Sequence, residues 1–252
     1  MTRVAAALAA PRPGATVLAP QAIGRAATLA LHDELALSPK PGLVTLTDNG
    51  SHDDMDAHTF MRSLFALRSY FVRIAALGAA GAPFHALQQC GIDAEARMLA
   101  ATGGVNTHRG AVFMLGLLCA AAGAVSRHGR PLDAAALRET LRARWGEALA
   151  DRARRTPTLP GGIAARRYGL RSAAAEAAAG FPVLFEVAVP ALQAARARRM
   201  GRQQVLLIPR CCPGSATLRS SAPCADDSAC TTGAPPWPMR HGPSAMPLRR
   251  RC

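Results

Sequence analysis

Residues 102–125 read TGGVNTHRGAVFMLGLLCAAAGAV, and this junction between a polar and an apolar segment decides the fold class. The second half, 111–125, is apolar throughout, which predicts a buried helix. It is shorter than the roughly 20 residues that a bilayer span requires. The first half, 102–110, is called the glycine segment below. Its glycines, threonines, asparagine, histidine and arginine are unusual neighbours for a core helix and point to a functional role.

Helical periodicity extends outward from this junction in both directions. Apolar residues recur every three or four positions, segments rich in proline and glycine separate the runs, and no stretch alternates as a strand would. Asp56 and Asp133 precede two of the runs as N-caps. The sequence therefore predicts an all-α fold, a single multi-helix globular domain. The predicted helices cover 23–37, 56–78, 84–101 (with a break near Gly91), 110–124, 133–153, 163–180 and 182–200.

The composition narrows the class of ligand. The chain has 252 residues, 30 of them basic and 16 acidic, and a formal net charge of +14. All the basic residues except Lys40 are arginines, and they are scattered instead of clustered with aromatic side chains. This distribution favours a polyanionic small molecule such as a polyphosphate over nucleic acid. No convincing secretory signal or membrane span is present, so we expect a cytoplasmic protein.

The chain divides into three parts. Residues 1–20 are rich in alanine and proline and are expected to be loose, and 21–204 form the helical domain. Residues 205–252 carry eight prolines and five cysteines and have lost the helical period. A disordered extension, a cysteine-bearing appendage and the product of a frameshift all fit this irregular tail. We favour the frameshift because the change of character is abrupt.

An acidic segment, residues 38–56, reads SPKPGLVTLTDNGSHDDMD. Its carboxylates Asp53, Asp54 and Asp56 lie within four residues of one another and next to His52. Such a cluster suits a hard cation such as Mg²⁺, or general-base chemistry. The competing interpretation is that the aspartates only cap the following helix, whose N-terminus favours negative charge. Capping accounts well for one carboxylate and poorly for three.

The glycine segment has the outline of an anion site. Gly103 and Gly104 stand just before a helix and could offer backbone amides to a phosphate. Four further donors follow at the same end: Asn106, Thr107, His108 and Arg109. The spacing is not that of a P-loop. An ordinary turn between two helices with a polar N-cap is the alternative.

Four segments together resemble one family. They are ELALSPKPGLVTLTDNGSHDDMD (34–56), FMRSLFALRSYF (60–71), GIDAEARMLAATGGVNTHRGAVFMLGLLCAAAG (91–123) and EAAAGFPVLFEVAVPAL (176–192). The chain resembles the ATP:dephospho-CoA triphosphoribosyltransferases over roughly residues 23–200. The branch that serves malonate decarboxylase is most similar in general appearance, and the citrate lyase branch is its relative.

The resemblance implies a reaction and its participants. ATP would lose adenine and pass its triphosphoribosyl group to the 2′-hydroxyl of 3′-dephospho-CoA, with Mg²⁺ as the expected cofactor. The product is the precursor of the prosthetic group on an acyl-carrier subunit. Asp53, Asp54 and Asp56, with His52, are then expected to bind Mg²⁺ and act as general base. Lys40, Arg109 and the amides of 103–108 are expected to hold phosphates, and Glu95 to contact a ribose.

Three other functions compete with this interpretation. The His52-Asp53 pair also occurs in metal-dependent phosphohydrolases, although the further ligands that such a site needs are not evident. An ADP-ribosyl-hydrolase-like enzyme would share the acidic cluster and the ribose chemistry and use water as the acceptor. Members of the resembling family continue past the position of Gln204 with another helix and polar segment, so a truncated, inactive remnant is the third alternative.

Overall fold

The computed structural model describes residues 17–198, and all the regular elements in that range are helices. The predicted all-α fold is confirmed there. The predicted tail, 205–252, and most of the loose segment 1–20 lie outside the described residues. Eight α-helices and one π-helical turn make up the described part. They are α1 (Pro20–Ala36), α2 (Ala57–Ala79), α3 (Phe84–Thr102), α4 (Arg109–Arg127), α5 (Ala134–Arg154), α6 (Pro160–Arg167), α7 (Ala173–Ala178), the π-helical turn Val183–Ala188 and α8 (Val189–Ala197).

Two sequence predictions about helix continuity were wrong, and a third helix is continuous with an unexpected winding at its start. Helix α3 runs unbroken through Gly91, which packs near the side chains of Tyr70 and Val112, so the small residue serves close packing. The predicted helix 163–180 is two short helices separated by a turn in which Gly169 has a φ of 63°. The predicted helix 182–200 begins as a π-helical turn. Pro190 has no amide hydrogen to donate to the fourth carbonyl before it, which accounts for the wider winding.

Helix α2 is the centre of the bundle and packs against α1, α3 and α4. Contacts between α2 and α4 join early residues of one helix to early residues of the other, and late residues to late residues. Ser63 lies against His108 and Gly78 against Ala120. The two helices are therefore parallel. Helix α1 runs the other way, because Gly24 near its start meets Val72 near the end of α2. The N-termini of α2 and α4 consequently lie at the same end of the bundle as the C-terminus of α1.

Helix α4 has the length and composition of a helix that could cross a membrane, and in this structure 61% of its most apolar window is buried. Core helices of soluble proteins share that length and composition. Ten of its buried positions are apolar or glycine, and they pack against α2, α3 and α5. The apolar run 111–125 is thus a core element of this bundle.

Two glycines allow α2 and α4 to approach closely. A Cβ atom built on Gly78 would lie 1.9 Å from the carbonyl oxygen of Ala120, and one on Gly123 would lie 2.0 Å from that of Ala75. Both distances are far inside van der Waals contact, so only glycine fits. Tyr70 joins the same two helices by donating a 2.6 Å hydrogen bond to the Val112 carbonyl. The spacing between these helices sets the geometry of the residues at their N-termini.

We predict that Gly78→Ala and Gly123→Ala each destabilise the fold by about 3 kcal/mol, the upper range for overpacking a core. The added methyl meets backbone atoms of the facing helix, which cannot move aside as a flexible side chain can. Urea unfolding followed by circular dichroism measures the effect. Gly161→Ala is the matched control, since a Cβ there meets nothing within 4 Å and alanine favours the helix. Equal stability of all three variants would contradict the close approach.

Candidate functional site

The acidic segment and the glycine segment meet at the N-termini of α2 and α4. His108 directly precedes α4, and its Nδ1 atom lies 2.7 Å from the Ser63 hydroxyl on α2. Its ring also stands edge-on to Phe60, with centroids 4.9 Å apart. Phe60 is one turn after Asp56, the residue that ends the acidic segment and begins α2. The parallel packing of the two helices therefore brings together the two segments that the sequence singled out.

The expectation of available amides at Gly103 and Gly104 was wrong. Their φ angles are 68° and 92°, and both N–H groups donate to the carbonyl of Leu99. The glycine pair thus closes the C-terminus of α3, because left-handed residues there turn amides back onto the last carbonyls. Both residues are exposed, and a Cβ on either would meet nothing within 4 Å. The two glycines leave open space at the surface, and their amides are not available to a ligand.

Backbone amides without an acceptor occur instead in the first turn of α4. The Asn106 side chain accepts a 3.2 Å hydrogen bond from the Arg109 amide and so caps the helix start. The next two amides, those of Gly110 and Ala111, have no acceptor among residues 17–198. The N-terminus of α2 lies alongside, and aligned peptide dipoles make both helix ends positive. An anion is therefore favoured a few residues later than the sequence indicated.

Arg109 and Glu95, for which separate ligand contacts were expected, are bound to each other. Arg109 Nε donates to Glu95 Oε1 at 2.5 Å, and Nη2 approaches the same oxygen. Each side chain is about one third exposed, at 31%. Guanidinium carries five N–H donors, so Nη1 remains uncommitted among the described residues. The pair can still present a donor and a carboxylate oxygen to a ligand, with most of its charge neutralised.

Lys40 is buried and paired rather than open to solvent. Its Nζ donates to the Glu34 carbonyl at 2.6 Å and to the Glu34 carboxylate at 2.8 Å. Glu34 lies in the last turn of α1, where a cation satisfies the final carbonyls and the negative end of the helix dipole. The predicted contact of Lys40 with a phosphate is untested. In this structure the ammonium group closes the C-terminus of α1.

The carboxylates of the acidic segment divide into two kinds. Asp56 caps α2, accepting from the Thr59 amide at 2.8 Å and the Thr59 hydroxyl at 2.7 Å. These hydrogen bonds hold the pKa of Asp56 below its ordinary value. Asp53 and Asp54 are exposed, and His52 Nδ1 lies 3.9 Å from Asp54 Oδ1. Capping therefore accounts for Asp56, and the exposed carboxylates of Asp53 and Asp54 are left available to a ligand.

No group of three His, Cys, Asp or Glu side chains in residues 17–198 is arranged to hold a metal ion. The predicted trio of aspartates is therefore not a preassembled metal centre. The donors nevertheless suit Mg²⁺, which is commonly held by one or two carboxylates together with substrate phosphates. Asp53 and Asp54 supply adjacent exposed oxygens of that kind. The residues fit a cation that arrives with a polyphosphate better than one held by the protein alone.

Burial makes His108 unusual among the site residues. Only 6% of the residue is exposed, and burial lowers the pKa of His108 to about 4, an effect that the nearby Glu34 carboxylate opposes. The imidazole is therefore neutral near neutral pH. Ser63 accepts a 2.7 Å hydrogen bond from the Thr107 hydroxyl and contacts His108 Nδ1. The other ring nitrogen, Nε2, is buried and has no partner in the structure.

Comparison with known proteins identifies the family. The model of the ATP:dephospho-CoA triphosphoribosyl transferase family matches residues 20–208. The chain belongs to this family. The resemblance inferred from the four sequence segments is thereby confirmed. The malonate decarboxylase branch is not distinguished by the match.

Individual relatives agree with the family match. A probable 2-(5″-triphosphoribosyl)-3′-dephosphocoenzyme-A synthase from Acinetobacter calcoaceticus is 40% identical over 65% of this chain and 56% of its own length. A Vibrio cholerae protein of the same name is 38% identical over 74% of this chain and 63% of its own length. A Pectobacterium atrosepticum synthase is 38% identical over 71% of this chain and 62% of its own length. The chain thus spans about three fifths of these relatives. No solved structure matches it.

Sequence reasoning missed Ser63 and Glu34 in this triphosphoribosyl transferase family member. Ser63 is a polar residue within the apolar stripe of α2, fully buried between Phe60 and Leu67. A buried hydroxyl on a core face usually has a specific partner, so its position was an available signal. Glu34 looked like an ordinary surface residue near a helix end. Its pairing with Lys40 depends on a loop that turns back to α1, which periodicity does not reveal.

We predict that His108 makes the family member acid-sensitive. An unfolded histidine takes a proton near pH 6.5, whereas folded His108 takes one only near pH 4. Stability is therefore complete above about pH 6.5 and falls as the pH drops from there toward 4. Compared with His108→Phe, the wild type should lose about 3 kcal/mol of unfolding free energy as the pH falls from 6.5 to 4. Urea unfolding at several pH values measures both proteins, and parallel pH profiles would contradict the prediction.

We also predict that Asp56 stabilises α2 as a cap. Asp56→Ala should lower the melting temperature, whereas Asp56→Asn should leave it close to that of wild type, because asparagine caps equally well. Asp133→Ala is the matched control, since Asp133 caps α5 through a 2.8 Å bond from the Ala136 amide. Thermal unfolding by circular dichroism compares the three. If Asp56→Ala and the wild type have the same melting temperature, Asp56 does not stabilise α2 as a cap.

Proposed function

We propose that this chain transfers the triphosphoribosyl group of ATP to the 2′-hydroxyl of 3′-dephospho-CoA and releases adenine. The observation that carries the proposal is the family match, whose span of 20–208 includes every residue of the site described above. The named relatives are synthases of the corresponding product. The juxtaposed N-termini of α2 and α4 add a physical reason, since a triphosphate would lie in their positive field.

The proposed reaction is a displacement at the anomeric carbon of the ATP ribose. The bond from that carbon to N9 of adenine breaks, and its electron pair leaves with adenine. A bond to the 2′-oxygen of dephospho-CoA forms, and the proton of that hydroxyl passes to a base. Adenine is released after it takes up one proton. Positive charge develops on the ribose in the transition state, so nearby carboxylates stabilise it.

The acidic segment supplies the base in this proposal. Asp54 is exposed, and its Oδ1 lies 3.9 Å from His52 Nδ1, so a small side-chain movement would bring the two into hydrogen-bond distance. Asp53 is its exposed neighbour. Asp56 is less suited, because one of its oxygens already accepts two hydrogen bonds from Thr59. We assign general-base work to Asp54, with His52 assisting, and a supporting electrostatic role to Asp53 and Asp56.

The phosphates would be held by groups at the start of α4. The amides of Gly110 and Ala111 and the Nη1 donors of Arg109 point to this role, with Asn106 keeping the first turn in place. Lys40 would take part only by exchanging its Glu34 partner for a phosphate. Mg²⁺ would be held by Asp53 together with phosphate oxygens, which leaves Asp54 as the base, and when bound it would supply charge neutralisation along the triphosphate.

The product in this proposal is the prosthetic-group precursor for the acyl-carrier subunit of a decarboxylase or lyase. We favour malonate decarboxylase over citrate lyase because the general appearance of the sequence is nearer that branch. Incubating the chain with ATP, Mg²⁺ and dephospho-CoA tests the reaction itself. Adenine release that depends on dephospho-CoA supports the transferase. Phosphate release indicates a phosphohydrolase, ribosyl transfer to water an ADP-ribosyl-hydrolase-like enzyme, and no turnover an inactive remnant.

We predict that Asp54→Asn lowers the rate of dephospho-CoA-dependent adenine release by on the order of 100-fold, the usual loss when a general base is removed. The amide keeps the size of the side chain and removes its basicity. Asp151→Asn is the control, because it deletes one exposed carboxylate on α5, outside the site. Adenine is quantified by liquid chromatography. An Asp54→Asn protein with the wild-type rate would disprove the assignment.

A further inference from the structure

The imidazole of His108 carries a feature that neither packing nor the proposed chemistry explains. Its Nε2 atom is buried and has no hydrogen-bond partner among residues 17–198. A buried polar group without a partner typically costs about 1–3 kcal/mol. Native structures retain few of them, and such groups often contact a ligand or an ordered water. The position of this one, directly before α4 in the site, suggests that a ligand supplies the missing acceptor.

The neighbouring hydroxyls determine which ring nitrogen carries the proton. The Thr107 hydroxyl donates to Ser63 Oγ, and the Ser63 hydroxyl is left to donate to His108 Nδ1. The Thr107 oxygen is the other atom within hydrogen-bond distance of Ser63 Oγ, and in this arrangement it serves as the donor. Since Nδ1 is then an acceptor, the neutral ring carries its hydrogen on Nε2. The group without a partner is therefore an N–H donor.

The surroundings of the ring favour an uncharged acceptor over a phosphate. Glu34, whose carboxylate acts on the ring, is paired with Lys40. Arg109, the adjacent residue, is paired with Glu95. Phe60 forms an aromatic wall beside the imidazole. A heterocyclic base can pack on that wall and accept a hydrogen bond without introducing charge into a buried, neutral environment.

We propose that His108 Nε2–H donates a hydrogen bond to a ring nitrogen of the adenine of ATP, and that Ser63 is the positioning residue that fixes this tautomer. The proposal rests on the proposed function, because it takes ATP as the ligand. Glu34 is half exposed, at 49% of its side chain. In this proposal the base approaches the ring from the side of Glu34, whose half-exposed side chain can move aside. No proton is transferred in this contact.

Nitrogen-15 NMR of the histidine rings tests the tautomer directly. Long-range proton–nitrogen correlations on the full chain at neutral pH should show His108 as the Nε2–H form, assigned by its absence in His108→Gln. Ser63→Ala should mix the two tautomers. Saturating adenosine should shift the Nε2 resonance, and inorganic tripolyphosphate should leave it in place. An Nδ1–H tautomer in the wild type would overturn the proposal, as would a shift caused by tripolyphosphate alone.

Binding of adenosine by calorimetry gives the second measurement. His108→Phe keeps a ring and loses the donor, and should bind about tenfold more weakly. His108→Gln retains an N–H near the same place and should stay within about threefold. Ser126→Ala is the control, because it removes another buried serine hydroxyl at the far end of α4 and should bind like wild type. Unchanged binding by His108→Phe would overturn the contact.

The outcomes separate this proposal from the proposed function. If the chain binds ATP and releases adenine while the Nε2 resonance stays unmoved, the His108 contact fails alone, and a buried water is the partner. If adenosine moves the resonance but no triphosphoribosyl product forms, the contact stands and the transfer fails. If the wild type binds neither adenosine nor ATP, both fail. Should one His108 variant not fold, the other assigns the His108 resonance, and the wild-type spectrum then decides the tautomer.

Discussion

The close parallel packing of α2 against α4 is the constraint on which the site depends. Gly78 and Gly123 let each helix touch the backbone of the other, and Tyr70 adds a buried hydrogen bond between them. Because the helices run parallel, their N-termini meet at one end of the bundle. Ser63 then faces His108 across the interface. A wider spacing would separate these two side chains and the two positive helix ends at once.

Most of the charge at this end of the bundle is already balanced in the protein. Lys40 neutralises Glu34 and closes α1, Arg109 is paired with Glu95, and Asp56 caps α2. What remains for a ligand is a smaller set of groups: the first amides of α4, the outer donors of Arg109 and the exposed carboxylates of Asp53 and Asp54. Pairing of this kind keeps long polar side chains in fixed positions, which lowers the entropic cost of binding a ligand.

The elements that the sequence predicted well are those with strong local signals. Helix α4 follows from an uninterrupted apolar run, and the starts of α2 and α5 follow from Asp56 and Asp133, which both cap as expected. The errors occurred where a local signal had two meanings. Glycine at 103 and 104 could either open a helix to an anion or close the previous one, and only the path of the chain distinguishes these uses. Gly91 is the third such case, since a glycine within a helix signals either a break or close packing.

By itself the sequence determined the all-α class, the family, and the two polar segments in which the candidate residues lie. Residue type and spacing carry this information, because helix periodicity, capping and motif order are local properties of the chain. Only the tertiary structure decided which residues act together. The pairing of Lys40 with Glu34, of Arg109 with Glu95, and of Ser63 with His108 joins positions 6, 14 and 45 residues apart. Helix packing alone brings such groups into contact, and burial then gives His108 a pKa that no local pattern could indicate.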